Sequence, residues 1–200
     1  MMRVSAQTAP GIVVPKFDDK YSRYVQGLET GKTDIDYQDF RFSFLDSEQF
    51  KVANGSKLNE LEREMRAAMA KSEYSQVIRI TQQMLSLDYT SLIAHKILRQ
   101  TYKIMGDTTN ATKYKTIQFG LLNSITHKGD GKTCATAWPI IQLAEEYFFL
   151  EMIDARLKKQ SVDKVGGFCD KMEVRVDGEI QTYYFDVNKV FLGYNKLGLK

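Results

Sequence analysis

The chain has 200 residues, 43% apolar and 26% charged with three prolines, which is enough for one globular domain with a sizeable core and excludes a disordered chain. Its 28 basic and 25 acidic side chains are interspersed and leave a net charge of +3, so nucleic acid is not an expected partner: phosphate binding needs basic groups concentrated on one face. The longest uncharged apolar run, 135–144, falls far short of the roughly 20 residues that cross a bilayer, so no transmembrane segment is expected in a soluble protein.

Residues 1–16 read as an extended N-terminal arm. Val4-Ser5-Ala6 has the small-residue pattern that ends an export signal, although the apolar core of such a signal is missing before it. Pro10, Gly11 and Pro15 suit extended chain. Residues 17–200 are expected to form a single, mainly α-helical domain with a β-hairpin at about 171–186. From Phe17 the spacing of Tyr21, Tyr24, Val25 and Leu28 predicts a helix that Gly31 stops. Thr33 with Asp36 is a capping-box pattern, and Ile35, Phe40, Phe44 and Leu45 supply the stripe of a second helix that Asn54-Gly55 breaks. Ser56 can cap a third, through Leu58, Leu61, Met65 and Met69. A fourth carries Val77, Ile80, Met84 and Leu87, widened by Ile78 and Leu85.

Helix ends recur about every 16 to 18 residues, and aligning Tyr74-Ser75-Gln76-Val77 with Thr108-Thr109-Asn110-Ala111 gives a shift of 34. In the later copy Leu98, Tyr102, Gly106 and Ala111 fall at the spacing of one tetratricopeptide hairpin. The turn position is Ser72 in one copy and Gly106 in the other; the helix-crossing position is Val77 and Ala111. The stretch from Leu58 to about Ile125 therefore resembles tetratricopeptide-like antiparallel helical hairpins, although any antiparallel bundle with short loops can produce the spacing.

Past Ile125 the chain is polar and glycine-bearing. Gly131-Lys132-Thr133 imitates the end of a phosphate-binding loop, but Thr126 holds the place of the required first glycine and a helix, not a strand, precedes it. Gly129 reads instead as a helix C-cap followed by a tight turn. A central buried helix is expected from Thr136 to about Lys159, with Pro139 in its first turn and Ile140, Ile141, Leu143, Ala144, Tyr147, Phe148 and Leu150 apolar on most sides. Glu145-Glu146 interrupts that surface; a carboxylate there pairs with a basic residue, faces water, or serves as half of an acid/base pair with Asp130.

Met172, Val174 and Val176, then Ile180, Thr182 and Tyr184, alternate around Asp177-Gly178, and a three-residue loop with a bulge is expected because it sets both apolar rows on one face. The tail from Val190 adds a third strand or a short helix. Cys134 and Cys169 are too few for a disulfide framework; free thiols are expected, with one bridge as the alternative.

Gly31-Lys32-Thr33-Asp34-Ile35, Phe40-Arg41-Phe42-Ser43-Phe44, Gly129-Asp130-Gly131, Glu146-Tyr147 and Tyr184-Phe185-Asp186 together resemble an uncharacterised family of bacterial proteins, a domain of unknown function, over residues 17–187. The chain departs from it at Phe42-Ser43-Phe44, where many relatives look like Leu-Tyr-Tyr-Gly. The resemblance implies relatives with export leaders and so favours the periplasm or cell envelope over the cytoplasm. It implies no activity.

No histidine or cysteine pair has metal-ligand spacing and no nucleophile elbow is present, so neither cofactor nor metal is expected. The expected function is a non-catalytic helical-repeat protein that binds a protein or peptide partner. The alternative is an enzyme or small-ligand receptor whose cleft gathers the Gly129–Gly131 loop, Glu146 and the hairpin. Across both readings the candidate contact residues are Arg41, His95, Tyr102, Asp130, Glu146, Tyr147 and Tyr184.

Overall fold

A computed structural model describes residues 11–54, 57–164 and 168–199. In chain order its helices are α1 (Lys20–Glu29), α2 (Tyr37–Leu45), α3 (Glu48–Asn54), α4 (Leu58–Ala70), α5 (Tyr74–Leu87), α6 (Leu92–Ile104), α7 (Thr108–Thr126), α8 (Leu143–Met152) and α9 (Asn188–Lys196). Its strands are β1 (Trp138–Pro139), β2 (Arg156–Asp163), β3 (Cys169–Val176) and β4 (Glu179–Asp186). The protein is mainly helical with a small sheet near its C-terminus. The described residues fall into two compact units, one within 11–34 and 47–118 and the other within 35–46 and 119–199. The Val4-Ser5-Ala6 and Ser56 expectations lie outside the described residues, as does Gly55 of the expected Asn54-Gly55 break.

Among the described residues, the regular elements of unit 1 are all helices. The Asp19 carboxylate caps α1 by accepting from the Ser22 N–H at 2.7 Å, and Gly31, at φ +93°, lets the chain leave that helix. Packing of α4 on α5 and of α5 on α6 buries Met65, Ala68, Val77, Ile80, Met84, Leu85, Ala94 and Leu98. The hairpins repeat: α4 and α6 start 34 residues apart, and so do α5 and α7. Their turns are built alike. Ser72 (φ +57°) and Gly106 (φ +80°) take the same left-handed position, and the N–H groups of Glu73 and Asp107 donate to Ala68 O at 3.0 Å and Tyr102 O at 2.9 Å. The Asp107 carboxylate then accepts from the Asn110 N–H and opens α7.

The second helix expected from the sequence is two helices. Asp36, not Thr33, caps α2, its carboxylate accepting from the Asp39 N–H at 2.9 Å. The Ser47 hydroxyl accepts from the Phe50 N–H, which restarts the chain as α3 after Asp46. Both competing caps are short side chains that satisfy orphan N–H groups locally, so an apolar stripe that looks continuous is interrupted.

Unit 2 is a four-stranded sheet in the order β1-β4-β3-β2 with α2, the last turns of α7, α8 and α9. β1 runs parallel to β4, and the other pairs are antiparallel. The helix expected over residues 136–159 is replaced by a 3-10 turn (Cys134–Thr136), β1, α8 and β2. Thr133 caps that turn, and Pro139 sits in an edge strand, where its missing N–H costs no ladder bond. The expected three-residue hairpin loop is a two-residue turn instead. Asp177 (φ +50°) and Gly178 (φ +87°) are both left-handed, the type I′ geometry that matches strand twist, and Val176 pairs with Glu179. Tyr183 and Phe185, not Ile180 and Tyr184, share the face of β4 on which Trp138 packs, with ring centroids 5.2 and 5.6 Å away. Ile180 is left exposed.

Cys134 and Cys169 form a disulfide with Cα atoms 5.8 Å apart, which corrects the expectation of free thiols. The bridge ties the 3-10 turn to the start of β3. The tail forms α9, the helical of its two expected forms. α7 ends at Thr126, before Gly129, and Gly131 rather than Gly129 is left-handed (φ +65°). Gly129 is therefore no C-cap: a Cβ there would stand 2.1 Å from Thr136 O, so close backbone approach is what requires it.

Candidate functional site

On unit 1, α6 and α7 line an open groove of about 460 Å3. Arg99 and Lys103 stand one turn apart on α6, hence on one helix face; Thr108, Ala111, Thr112 and Lys115 come from α7. No acidic side chain lines the groove. Ala111 leaves room where a larger side chain would fill it.

His95 and Tyr102, both on α6, belong to a packed aromatic network in the same unit. His95 is fully buried, and its Nε2 lies 2.8 Å from the Tyr89 carbonyl. A carbonyl only accepts, so Nε2 carries the proton and Nδ1 is left as a buried acceptor without a donor. Burial lowers the His95 pKa to about 4, the Tyr89 carbonyl opposing and the Lys113 charge assisting. Its ring lies 5.0 Å from Tyr89 and 5.8 Å from Tyr114. The Tyr89 hydroxyl donates to Glu29, as does Lys113 at 2.8 Å. Tyr102 stacks on Tyr114 with planes 3° apart and accepts from Gln82. Burial, then the Asp107 and Glu29 charges, raise the Tyr102 phenol above its ordinary pKa.

In unit 2, Arg41 is wholly buried on α2. Its guanidinium donates from Nε and Nη2 to Glu145 at 2.9 and 2.6 Å, from Nη1 to Ser124 Oγ and from Nη2 to Pro139 O. The same Glu145 carboxylate accepts from the Ile141 N–H at 2.8 Å. That clamp fixes the start of α8. Tyr147 and Tyr184 are more open: the Tyr147 hydroxyl donates to Gln160 at 2.8 Å, and Tyr184 gives its backbone N–H to Gly131 O while its ring lies 5.9 Å from the Lys171 ammonium.

Asp130 is exposed and accepts from the Thr136 hydroxyl at 2.6 Å and the Lys132 N–H at 3.0 Å. These bonds hold its pKa below the ordinary carboxylate value, the Thr136 bond most. Around it the loop is bound by packing: Trp138 Nε1 donates to Gly129 O, and a Cβ at Gly131 would meet the Trp138 ring at 2.7 Å.

Glu146 differs from all of these. It is fully buried on α8, and neither carboxyl oxygen meets an N–H or O–H donor. Its acidic neighbours are Asp170 on β3 and Glu145. The Asp170 carboxylate accepts from Gln160 Nε2 at 2.8 Å. A second carboxylate can only accept, so Glu146 bonds to Asp170 when it keeps its own proton. Burial first, then the Asp170 charge and that bond, raise its pKa to about 8. Glu146 is an acid that stays protonated at neutral pH, and its partner is Asp170 rather than Asp130.

The seven candidates are divided between the two units. His95 and Tyr102 lie in unit 1, the other five in unit 2. Asp170, Arg99, Lys103 and Lys115 went unnoticed in the sequence; the i,i+4 pair Arg99/Lys103 facing Thr108, Thr112 and Lys115 across a short turn was the available signal, whereas Asp170 gave none. Among the described residues no group of three His, Cys, Asp or Glu side chains is arranged to hold a metal ion, and no helix is long and apolar enough to cross a membrane. No curated protein and no solved structure matches the chain. The family model described as Domain of unknown function (DUF4919) matches residues 20–196, and the chain belongs to that family.

Proposed function

We propose that this protein is a non-catalytic helical-repeat module of tetratricopeptide-like packing that binds a protein or peptide partner through the α6–α7 hairpin. The observation that carries the reading is the open groove of about 460 Å3 lined from both helices. The 34-residue spacing of two hairpins with matching turns supports it, because stacked hairpins present such grooves as binding surfaces. The Cys134–Cys169 bridge supports export to an oxidising compartment, the periplasm or cell envelope.

A second reading, an enzyme or small-ligand receptor, draws on Glu146, which holds its proton at neutral pH. It requires a ligand to reach a side chain with 0% exposure. The groove requires no such opening, and the binding reading is preferred.

The test is photo-crosslinking in the source cells from a benzophenone side chain placed at Thr112, compared with one at Ile180, which is exposed on β4. A discrete partner joined at Thr112 but not at Ile180, and lost when Ala111→Trp fills the groove, is the expected result. Equal labelling from both positions, or a partner that survives Ala111→Trp, removes the groove as the site.

A further inference from the structure

We infer that the α6–α7 groove takes an acidic peptide segment, its carboxylates held by Arg99, Lys103 and Lys115. This rests on the binding reading above and adds the chemistry of the ligand.

The groove has three cationic side chains, two threonine hydroxyls and no carboxylate, in a chain whose charges otherwise nearly balance at 28 basic to 25 acidic. Several other lysines face a carboxylate: Lys51 that of Glu48, Lys57 that of Glu60 and Lys196 that of Asp46. Lys113, two residues before Lys115, is bound to Glu29. Among the described residues Lys103 and Lys115 have no ion-pair partner. Cations concentrated in one concave strip raise the local density of anionic ligands and orient them. Thr108 and Thr112, one turn apart on α7, add hydroxyl donors that a carboxylate or a peptide carbonyl accepts. Ile104 and Met105, more than half exposed, directly follow Lys103 at the hairpin tip and supply apolar contact at that end.

A peptide fits better than nucleic acid. Three cations neutralise about three phosphates, too few for the extended basic track that carries nucleic-acid affinity.

The experiment uses the purified full chain and fluorescence anisotropy of a fluorescein-labelled ten-residue polyglutamate probe, with polylysine and oligouridine of the same length as comparison probes. Expected are saturable polyglutamate binding, no polylysine binding, and at least a tenfold loss of affinity in Lys103→Glu/Lys115→Glu, whose circular dichroism and melting temperature match wild type. The control Lys158→Glu/Lys159→Glu makes the same charge change on the exposed strand β2 and retains wild-type binding. Affinity falls several-fold from 50 to 500 mM salt, since exposed pairs are screened over about 10 Å at 0.1 M.

The inference is overturned if the probe does not bind, if both charge reversals weaken it equally, or if oligouridine binds more tightly. A partner crosslinked at Thr112 that persists in Lys103→Glu/Lys115→Glu also overturns the acidic ligand, yet leaves the binding reading standing. Loss of crosslinking with Ala111→Trp but no effect of charge reversal separates the two in the same way.

Discussion

Arg41 puts a permanent charge where water does not reach it, and Glu145 answers with a two-pronged contact whose shorter leg is 2.6 Å. Such a pair contributes little net stability against well-packed apolar residues, but removing one member strands a buried charge at a cost of roughly 3–5 kcal/mol. Arg41→Met is therefore expected to lower the unfolding free energy by about that amount. Adding Glu145→Gln, which removes the stranded charge and keeps an acceptor for the Ile141 N–H, restores most of it. Urea midpoints of the two variants decide the matter: a double variant as unstable as the single one means that the pair is not what Arg41 does. In Phe40-Arg41-Phe42 the arginine stands out as a charge between aromatics, so it was legible as important. Its role was not, because Glu145 lies 104 residues away and neither local spacing nor periodicity carries that distance.

At the scale of elements, what was legible followed from how each segment meets its neighbours. The 34-residue hairpin spacing could be read because its turns are local: Ser72 and Gly106 take the same left-handed position for reasons contained in a few residues. Residues 136–159 could not be read, since a segment apolar on most sides shows no period to separate helix from strand. There the order is fixed by contacts distant in sequence, namely Arg41 on Glu145, which in turn accepts from the nearby Ile141 N–H, and Cys134 on Cys169. The hairpin loop failed for a related reason: the inward row on β4 is the half-buried Tyr183 and the buried Phe185, so no bulge was needed to bring Ile180 inward.

The disulfide encloses β1, α8 and β2 within a separation of 35 residues. Closing a loop of that length restricts the unfolded chain by roughly 3–4 kcal/mol. Cys134→Ser/Cys169→Ser, or reduction of wild type, is expected to destabilise unit 2 by about 3 kcal/mol. Trp138, the single tryptophan, reports it, because its ring is packed on Phe149, Tyr183 and Phe185. An unchanged fluorescence unfolding curve under reductant rejects the bridge as a support of unit 2.

Over the whole molecule, two buried groups, one in each unit, give stability contributions of opposite pH dependence. His95 in unit 1 has its pKa lowered from 6.5 to about 4. The unfolded chain therefore binds a proton that the folded one refuses, and the stability tied to His95 is complete above pH 6.5 and lost as pH falls toward 4. Glu146 in unit 2 is raised from 4.5 to about 8. Here the folded state holds the proton, so the associated stability is complete below pH 4.5 and is lost as pH rises toward 8. Each slope is at most about 1.4 kcal/mol per pH unit. Opening free energies from hydrogen exchange, corrected for intrinsic rates, are expected to rise with pH between 4.5 and 6.5 for amides in the middle of α6, and to fall between 4.5 and 8 for amides of β3. Glu146→Gln keeps the hydrogen-bond donor toward Asp170 without a titrating proton, so it flattens the β3 slope and leaves α6 unchanged; His95→Gln does the reverse. If α6 and β3 shift together, or if the β3 slope persists in Glu146→Gln, the buried acid is not the group that sets the alkaline limit of unit 2.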